Sequence, residues 1–343
     1  MSPISTPACS ASARRHIVVI GASAGGVPVL QDLFALLPPD TSASYFVVQH
    51  LAAHTPSQLD RVLQGATAMP VHFARNDEPI LPDTVYLAAP DRHLLVEDGR
   101  TRITRGPREC RARPAVDVLF RSAALAYGPQ VIGVVLSGSL DDGTAGLWQI
   151  KDRGGLALVQ DPREASYPSM PESALEHVEA DCVAPVAALA RRIIEETATP
   201  RPLPCPPQPR ARQQVENQVA MGGNGMQAGV MGLGEVSTYT CPECHGVLVQ
   251  IEEGRLLRFR CHTGHAYSPK SLLVEVNEAI DSGIWDAIRV IEERILLLRQ
   301  MADMAAAAGK EEDARRLRAK AGQAEDKCKP LRDLVLDADF FAA

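Results

Sequence analysis

Ile17-Val18-Val19-Ile20-Gly21-Ala22-Ser23-Ala24-Gly25-Gly26 is the stretch on which the reading of the fold turns. Ile17–Ile20 is β-branched without polar alternation, the pattern of a strand buried on both faces. After Gly26 comes Val27-Pro28-Val29-Leu30-Gln31-Asp32-Leu33-Phe34, an apolar period of helical type with Pro28 tolerable in a first turn. Strand, small-residue turn, helix: this geometry lifts Ser23 to the carboxyl edge of a sheet, beneath helix amides. Gly21-Ala22-Ser23-Ala24-Gly25 also fits the nucleophile elbow G-x-S-x-G. A phosphate cradle is the competing reading of any glycine-rich strand–helix turn. The dinucleotide pattern, however, needs glycine where Ser23 stands, and an acid about twenty residues on. The next strand, Tyr45–Val48, ends instead in Gln49-His50, and histidine is a poor ribose acceptor but a good general base.

The 343 residues are 45% apolar and 22% charged, as in a soluble globular chain with one large domain and smaller appendages. A net charge of −7 and the absence of any basic block argue against nucleic acid. No segment reads as a membrane span, and the first fifteen residues have no apolar export core, so membrane insertion is not expected. Of eight cysteines, Cys241, Cys244 and Cys261 cluster at metal-like spacing and the others are isolated, which fits a reducing cytoplasm.

The chain divides by composition. Residues 1–15 read as a disordered tail. Over 16–196, apolar runs alternate with helix-length segments: strands at 71–74, 84–88, 131–136 and 156–160, helices at 56–63, 114–127, 144–153 and 186–197. Leu94–Glu97 and Thr101–Thr104 read as a hairpin. The class expected is α/β, a doubly wound, mainly parallel Rossmann-like sheet with that hairpin at one edge. Residues 197–237, rich in proline and then glycine, read as a disordered linker. A compact zinc-ribbon-like module (238–267) and an amphipathic helical pair (268–343) follow, the pair read as a packed hairpin.

In an open parallel sheet, ligands sit at the carboxyl ends of the strands. Ser23 ends the first strand, His50 the second, and the loop Ser137-Gly138-Ser139-Leu140-Asp141-Asp142-Gly143 follows the strand at 131–136. If these strands are neighbours, a hydroxyl, an imidazole and a carboxylate converge, the set that acyl transfer requires. Taken singly, each has an ordinary explanation: a turn serine, a satisfied rim histidine, helix-capping aspartates at 141 and 142. His54, His72, His93 and His177 compete for the role of base, though none ends a convincing buried strand.

At this point the residues resemble a known family. IGASAGG, VVQH, LAAPDRH, RPAVDVLF, VIGVVLSGSLDDG and GGLALVQDP followed by SMPESAL occur in family order, and Ile17 to about Ile194 resembles the catalytic domain of the chemotaxis protein-glutamate methylesterases (CheB). The resemblance implies a hydrolase of glutamyl methyl esters on chemoreceptor cytoplasmic helices or another methylated protein, able also to deamidate glutamine, with no catalytic cofactor. It implies Ser23 as nucleophile, His50 as base, Asp142 as orienting acid, and backbone amides of Ala24 and Ser139 as the oxyanion hole. The family's rim loop is usually T-G-M-G-x-D-G; here Ser139 replaces the methionine and Leu140 the following glycine. Well-known members carry an N-terminal receiver domain, and with about sixteen residues before the first strand, phosphorylation control in cis is not expected.

Cys241-x-x-Cys244 and Cys261-x-x-x-His265, about sixteen residues apart, carry structural-zinc spacing around a predicted hairpin. His245 and His262 are alternative fourth ligands, and four protein ligands leave no open catalytic position. Self-association through the C-terminal helices is the remaining partner expectation. The rival readings are a nucleotide-binding Rossmann module and a non-catalytic adaptor that docks receptor helices on the same rim.

Overall fold

The computed structural model describes residues 16–53, 55–97, 99–198, 208, 210–337 and 339–341. The expected tail, residues 199–207 of the expected linker, and His54 lie outside them. The chain forms two compact units, residues 1–271 and 272–343.

The larger unit is built on a seven-stranded, wholly parallel sheet. Its strands are β1 (Ile17–Ala22), β2 (Ser44–Gln49), β3 (Val71–Phe73), β4 (Thr84–Leu87), β7 (Val131–Val135), β8 (Leu156–Gln160) and β9 (Cys182–Ala184), in the order β3-β4-β2-β1-β7-β8-β9. The central strands carry apolar side chains on both faces, and each face makes its own core. Val18, Ile20, Tyr45, Val47, Ile132 and Val134 pack under α1 (Gly26–Leu36), α2 (Leu59–Gln64) and α6 (Val186–Ala198). Val19, Phe46, Val48, Val131 and Val135 pack under α3 (Val116–Tyr127), α4 (Thr144–Asp152) and α5 (Ser169–His177). Burying β-branched rows on both faces is what makes the sheet parallel and doubly wound. The chain leaves β1 toward β2 and β4, then returns to its other flank at β7. The strand order therefore switches at β1, where such sheets open a crevice.

The hairpin β5 (His93–Glu97) and β6 (Arg100–Thr104) is not an edge of this sheet, as expected, but a separate two-stranded sheet. Leu94 and Val96 are drawn into the core beside α3, where the Val96 N–H donates to Ser122 Oγ at 3.0 Å. The 197–237 linker expectation is also corrected, since α7 (Ala211–Ala220) and α8 (Gly225–Ala228) are ordered helices within it. Val219 packs on the small sheet that follows, and Ala220 packs beside Leu95, Ala115 and Val118.

That small sheet is antiparallel, in the order β10 (Glu235–Thr240), β11 (Val247–Glu253), β12 (Leu256–Cys261), β13 (Ala266–Tyr267). The second unit contains most of α9 (Pro269–Ala307) and all of α10 (Glu311–Val335). Ion pairs Glu292–Arg332, Arg299–Glu325 and Asp303–Arg318 run in opposite chain directions, so the two helices are antiparallel, around Ile295, Ala321 and Ala324.

Candidate active site

The parallel ladder continues past the strand ends and ties three rim segments together. His50 N–H donates to the Ala22 carbonyl at 3.1 Å, Leu136 N–H to Gly21 at 2.9 Å, and Ser23 N–H to Ser137 at 2.9 Å. Gly25 then turns with φ +69°, and a Cβ there would press within 3.0 Å of Ser137 Oγ, Ser166 and Tyr167. A Cβ on Gly138 would meet Met170 Sδ at 2.0 Å and Ser23 Cβ at 2.8 Å, so only glycine lets the 137–143 loop pass this close to the serine.

On this frame Ser23 Oγ lies 3.0 Å from His50 Nδ1, and His50 Nε2 lies 2.8 Å from Asp142 Oδ2. Asp142 is 2% exposed, and its carboxylate accepts the N–H of Val116 (2.7 Å) and of Asp117 (2.9 Å), the free amides at the start of α3. The partial positive charge of those amides complements a carboxylate placed there. With the Asp142 carboxylate as the acceptor on that side, the imidazole carries its hydrogen on Nε2, which leaves Nδ1 to accept from the serine hydroxyl. Asp141 is buried, and its carbonyl accepts Thr144 N–H at 3.2 Å; the carboxylate bonded to His50 is that of Asp142. The amides of Ala24 and Ser139 face no acceptor among the described residues. Leu140, where the family pattern has glycine, sits at φ +63°. The described competitors for the role of base are engaged elsewhere: His72 with Glu78, His177 with the Ser173 carbonyl, His93 with Pro107 and Ala115.

Several supporting residues escape sequence reasoning. Gln49 Nε2 donates to the Ser23 and His50 carbonyls, at 2.7 and 3.1 Å. Ser137 Oγ donates to the Ala24 carbonyl at 2.9 Å, while Gln160 Oε1 accepts Ser137 N–H at 2.9 Å. Asp117 Oδ1 accepts Gly143 and Gly146 N–H at 3.0 and 2.6 Å, so Asp117 caps α4 much as Asp142 caps α3. Burial, and then the charge of Asp142, push the Asp117 carboxyl up to about 8. The only signal for Gln49 was its place at the tip of β2. A cleft of about 360 Å³ opens over Ser23 and His50, walled on one side by Arg108, Cys110, Arg111 and Arg113.

A second group lies in the small sheet. The donor atoms of Cys241, Cys244, Cys261 and His265 all lie within 4.8 Å of one another. His265 Nδ1 stands 3.6 Å from the sulfurs of Cys241 and of Cys261, and Cys244 and Cys261 are 3.6 Å apart. A tetrahedral zinc with bonds of about 2.3 Å to sulfur has edges of about 3.5–3.8 Å, so these donors fit it. Glu243 approaches His265 Nε2 at 3.3 Å, the outer carboxylate that orients a ligating imidazole. His245 and His262 are not in the group. Cys110, Asp117 and Asp142 also bring ligand-type atoms together, but both carboxylates are engaged by helix amides.

Residues 18–193 match the family profile described as CheB methylesterase. The chain belongs to that family. A Thiobacillus denitrificans protein-glutamate methylesterase/protein-glutamine glutaminase is 37% identical over 183 residues, 52% of this chain and 51% of its own. A Leptospira interrogans relative, named provisionally for the same two activities, is 37% identical over 178 residues, 52% of this chain and 92% of its own. The crystal structure of the Thermotoga maritima CheB methylesterase catalytic domain superimposes with a TM-score of 0.51 at 32% identity, over 53% of this chain and 99% of that one. The chain thus spans nearly all of one relative and about half of another. No helix among the described residues is long and apolar enough to cross a membrane.

Proposed function

We propose that the chain is a cytoplasmic serine hydrolase that demethylates glutamate methyl esters on proteins, chemoreceptor cytoplasmic helices foremost, and deamidates glutamine at the same site. The contacts of 3.0 and 2.8 Å linking Ser23, His50 and Asp142 carry this reading. His50 Nδ1 takes the Ser23 proton as Oγ attacks the ester carbonyl, and Asp142 stabilises the imidazolium that forms. Amides of Ala24 and Ser139 take up the oxyanion. The bond to methoxide breaks, His50 returns the proton, and methanol leaves a glutamyl ester on Ser23. Water, deprotonated by His50, cleaves that ester and frees glutamate and serine; with glutamine the first leaving group is ammonia. Ser139 contributes through its backbone, so the absence of the family's methionine leaves the chemistry in place. A nucleotide-binding role finds no support in the site, where Ser23 and His50 stand in place of a glycine and an acid.

Cys241, Cys244, Cys261 and His265 would hold a structural zinc, whose chemistry is to cross-link the β10–β11 turn, the end of β12 and the β12–β13 turn. Self-association runs through α9, which exposes Val290, Leu296, Leu297, Met301 and Met304.

The test is a fluorophosphonate probe together with methanol release from a methylated receptor. Labelling of one serine per chain, abolished in Ser23→Ala along with turnover by about 10⁶-fold, as in another serine hydrolase, is the expected result. Unlabelled wild-type protein that still binds the receptor would make it an adaptor.

A further inference from the structure

One wall of the Ser23 cleft is a loop, residues 107–114, closed on itself by the backbone pair Glu109–Ala112 (2.9 and 3.3 Å) and tied at its end by Arg113 to Asp91 (2.6 Å). Cys110 and Arg111 both lie in the left-handed region, at φ 47° and 68°, a strained conformation for side chains of this size. Further support for it comes from two sides. From the catalytic fold, buried His93 donates Nε2–H to the Pro107 carbonyl (2.9 Å) and accepts Ala115 N–H at Nδ1 (3.2 Å). From the small sheet, Ala266 N–H donates to the Arg108 carbonyl (3.2 Å) and Cys110 N–H to the Ala266 carbonyl (2.9 Å), a rung of parallel pairing added beside β13. Glu109, between those two bonds, sends its carboxylate inward to Arg121 of α3 (2.7 Å) and Arg260 of β12 (2.9 Å). Glu216 of α7 completes the buried group, 3.0 Å from Arg260 and 2.7 Å from Arg258. The anchoring residues of the small sheet, Arg260 and Ala266, are the chain neighbours of Cys261 and His265.

We infer that the Cys/His ribbon is a working wall of the ester cleft: zinc held by its four ligands fixes β12 and β13, these hold loop 107–113 over Ser23, and loss of the metal releases the loop. The hydroxyl, imidazole and carboxylate rest on β1, β2, β7 and the start of α3, so release weakens capture of the protein substrate more than the chemistry. The loop lines the cleft with Arg108, Arg111 and Arg113; Asp91, on the same lining, pairs with Arg113 at 2.6 Å, while Arg108 has no ion pair among the described residues. A protein segment carrying glutamates beside its ester is the substrate such a wall favours.

This rests on the esterase and zinc readings, and the experiment separates all three. The zinc-loaded full chain is compared with protein stripped by a chelator under reducing conditions. Three quantities are read: amide exchange at Cys110, fluorophosphonate labelling of Ser23, and KM and kcat on a methylated receptor. Stripping should speed Cys110 exchange at least about ten-fold and raise KM about five-fold, with labelling rate and kcat within about two-fold. Ala266→Pro removes the donor to Arg108 and also restricts the neighbouring His265, so its zinc content is measured alongside; with one zinc per chain retained, it should reproduce the KM rise. Stripped protein with unchanged Cys110 protection and KM, or Ala266→Pro with the wild-type KM, overturns the coupling. Wild-type protein that binds no zinc overturns both it and the zinc reading. Absence of Ser23 labelling strikes the esterase reading alone, since exchange at Cys110 still decides whether ribbon and loop are coupled.

Discussion

Asp117 takes on, a few ångströms from Asp142, a duty that a charged carboxylate performs only at a cost. It accepts two amide hydrogen bonds at the start of α4, yet it is buried beside another carboxylate, and these two effects raise it to about 8. Raised above its unfolded value, it contributes stability that is complete below about pH 4 and drains away as pH climbs through 8. Asn keeps the acceptor and cannot ionise. Asp117→Asn should therefore gain on the wild type between pH 5 and 8 in urea unfolding; parallel curves would show the carboxyl already ionised. Leu140 invites a second test. At φ +63° a leucine is strained by about 1–2 kcal/mol, which exceeds the extra unfolded-state entropy of glycine, so Leu140→Gly should stabilise by about 0.5–1 kcal/mol in thermal or urea unfolding.

At the scale of elements, what could be read from sequence followed apolar period. β1, β2 and β7 are buried on both faces, so their runs are unbroken and their ends, at Ser23, His50 and the 137–143 loop, are marked by the first polar residues. Helix α7 failed for the opposite reason. Its buried positions include Gln213 and Glu216, polar residues satisfied by Arg153 and Arg258, and without an apolar stripe it looked like linker. Strand β9 is three residues long and half-exposed at the sheet edge, with Val183 open to solvent, so no apolar run marked it. The hairpin was legible as a hairpin, but nothing in its alternation told that α3, not the sheet, covers it. The charged group that α7 joins has a measurable consequence. Glu109 would be raised by burial, yet Arg121 and Arg260 hold it below the usual carboxylate range. Arg121→Met leaves Glu109 and Glu216 a cation short, and should cost about 3–5 kcal/mol by denaturant unfolding, far more than an exposed pair of the same kind.

At the scale of the molecule, the family match ends at residue 193, but the buried charges reach Glu216, Arg258 and Arg260. The catalytic fold and the small sheet therefore share one core, and residues 272–343 form a second unit with its own. That second core is narrow: Ile295, Ala321 and Ala324, with Ile291 and Leu298 packed against them, form its cluster, while several large apolar side chains of α9 stay exposed. Leu296 is 65% exposed, Met304 66% and Leu297 57%, a density of large apolar side chains that a solitary helix pair does not leave in water without a partner. Antiparallel helices with a bare apolar stripe bury it most economically against a second copy. Sedimentation of the full chain should therefore report a dimer or larger, and a chain ending at Ser271 a monomer with Ser23 still labelled. Leu297→Glu with Met304→Glu should dissociate the assembly while leaving helix content unchanged, because neither side chain belongs to the packed seam. A full chain that sediments as a monomer at tens of micromolar would leave that stripe to a different protein and remove self-association from the account.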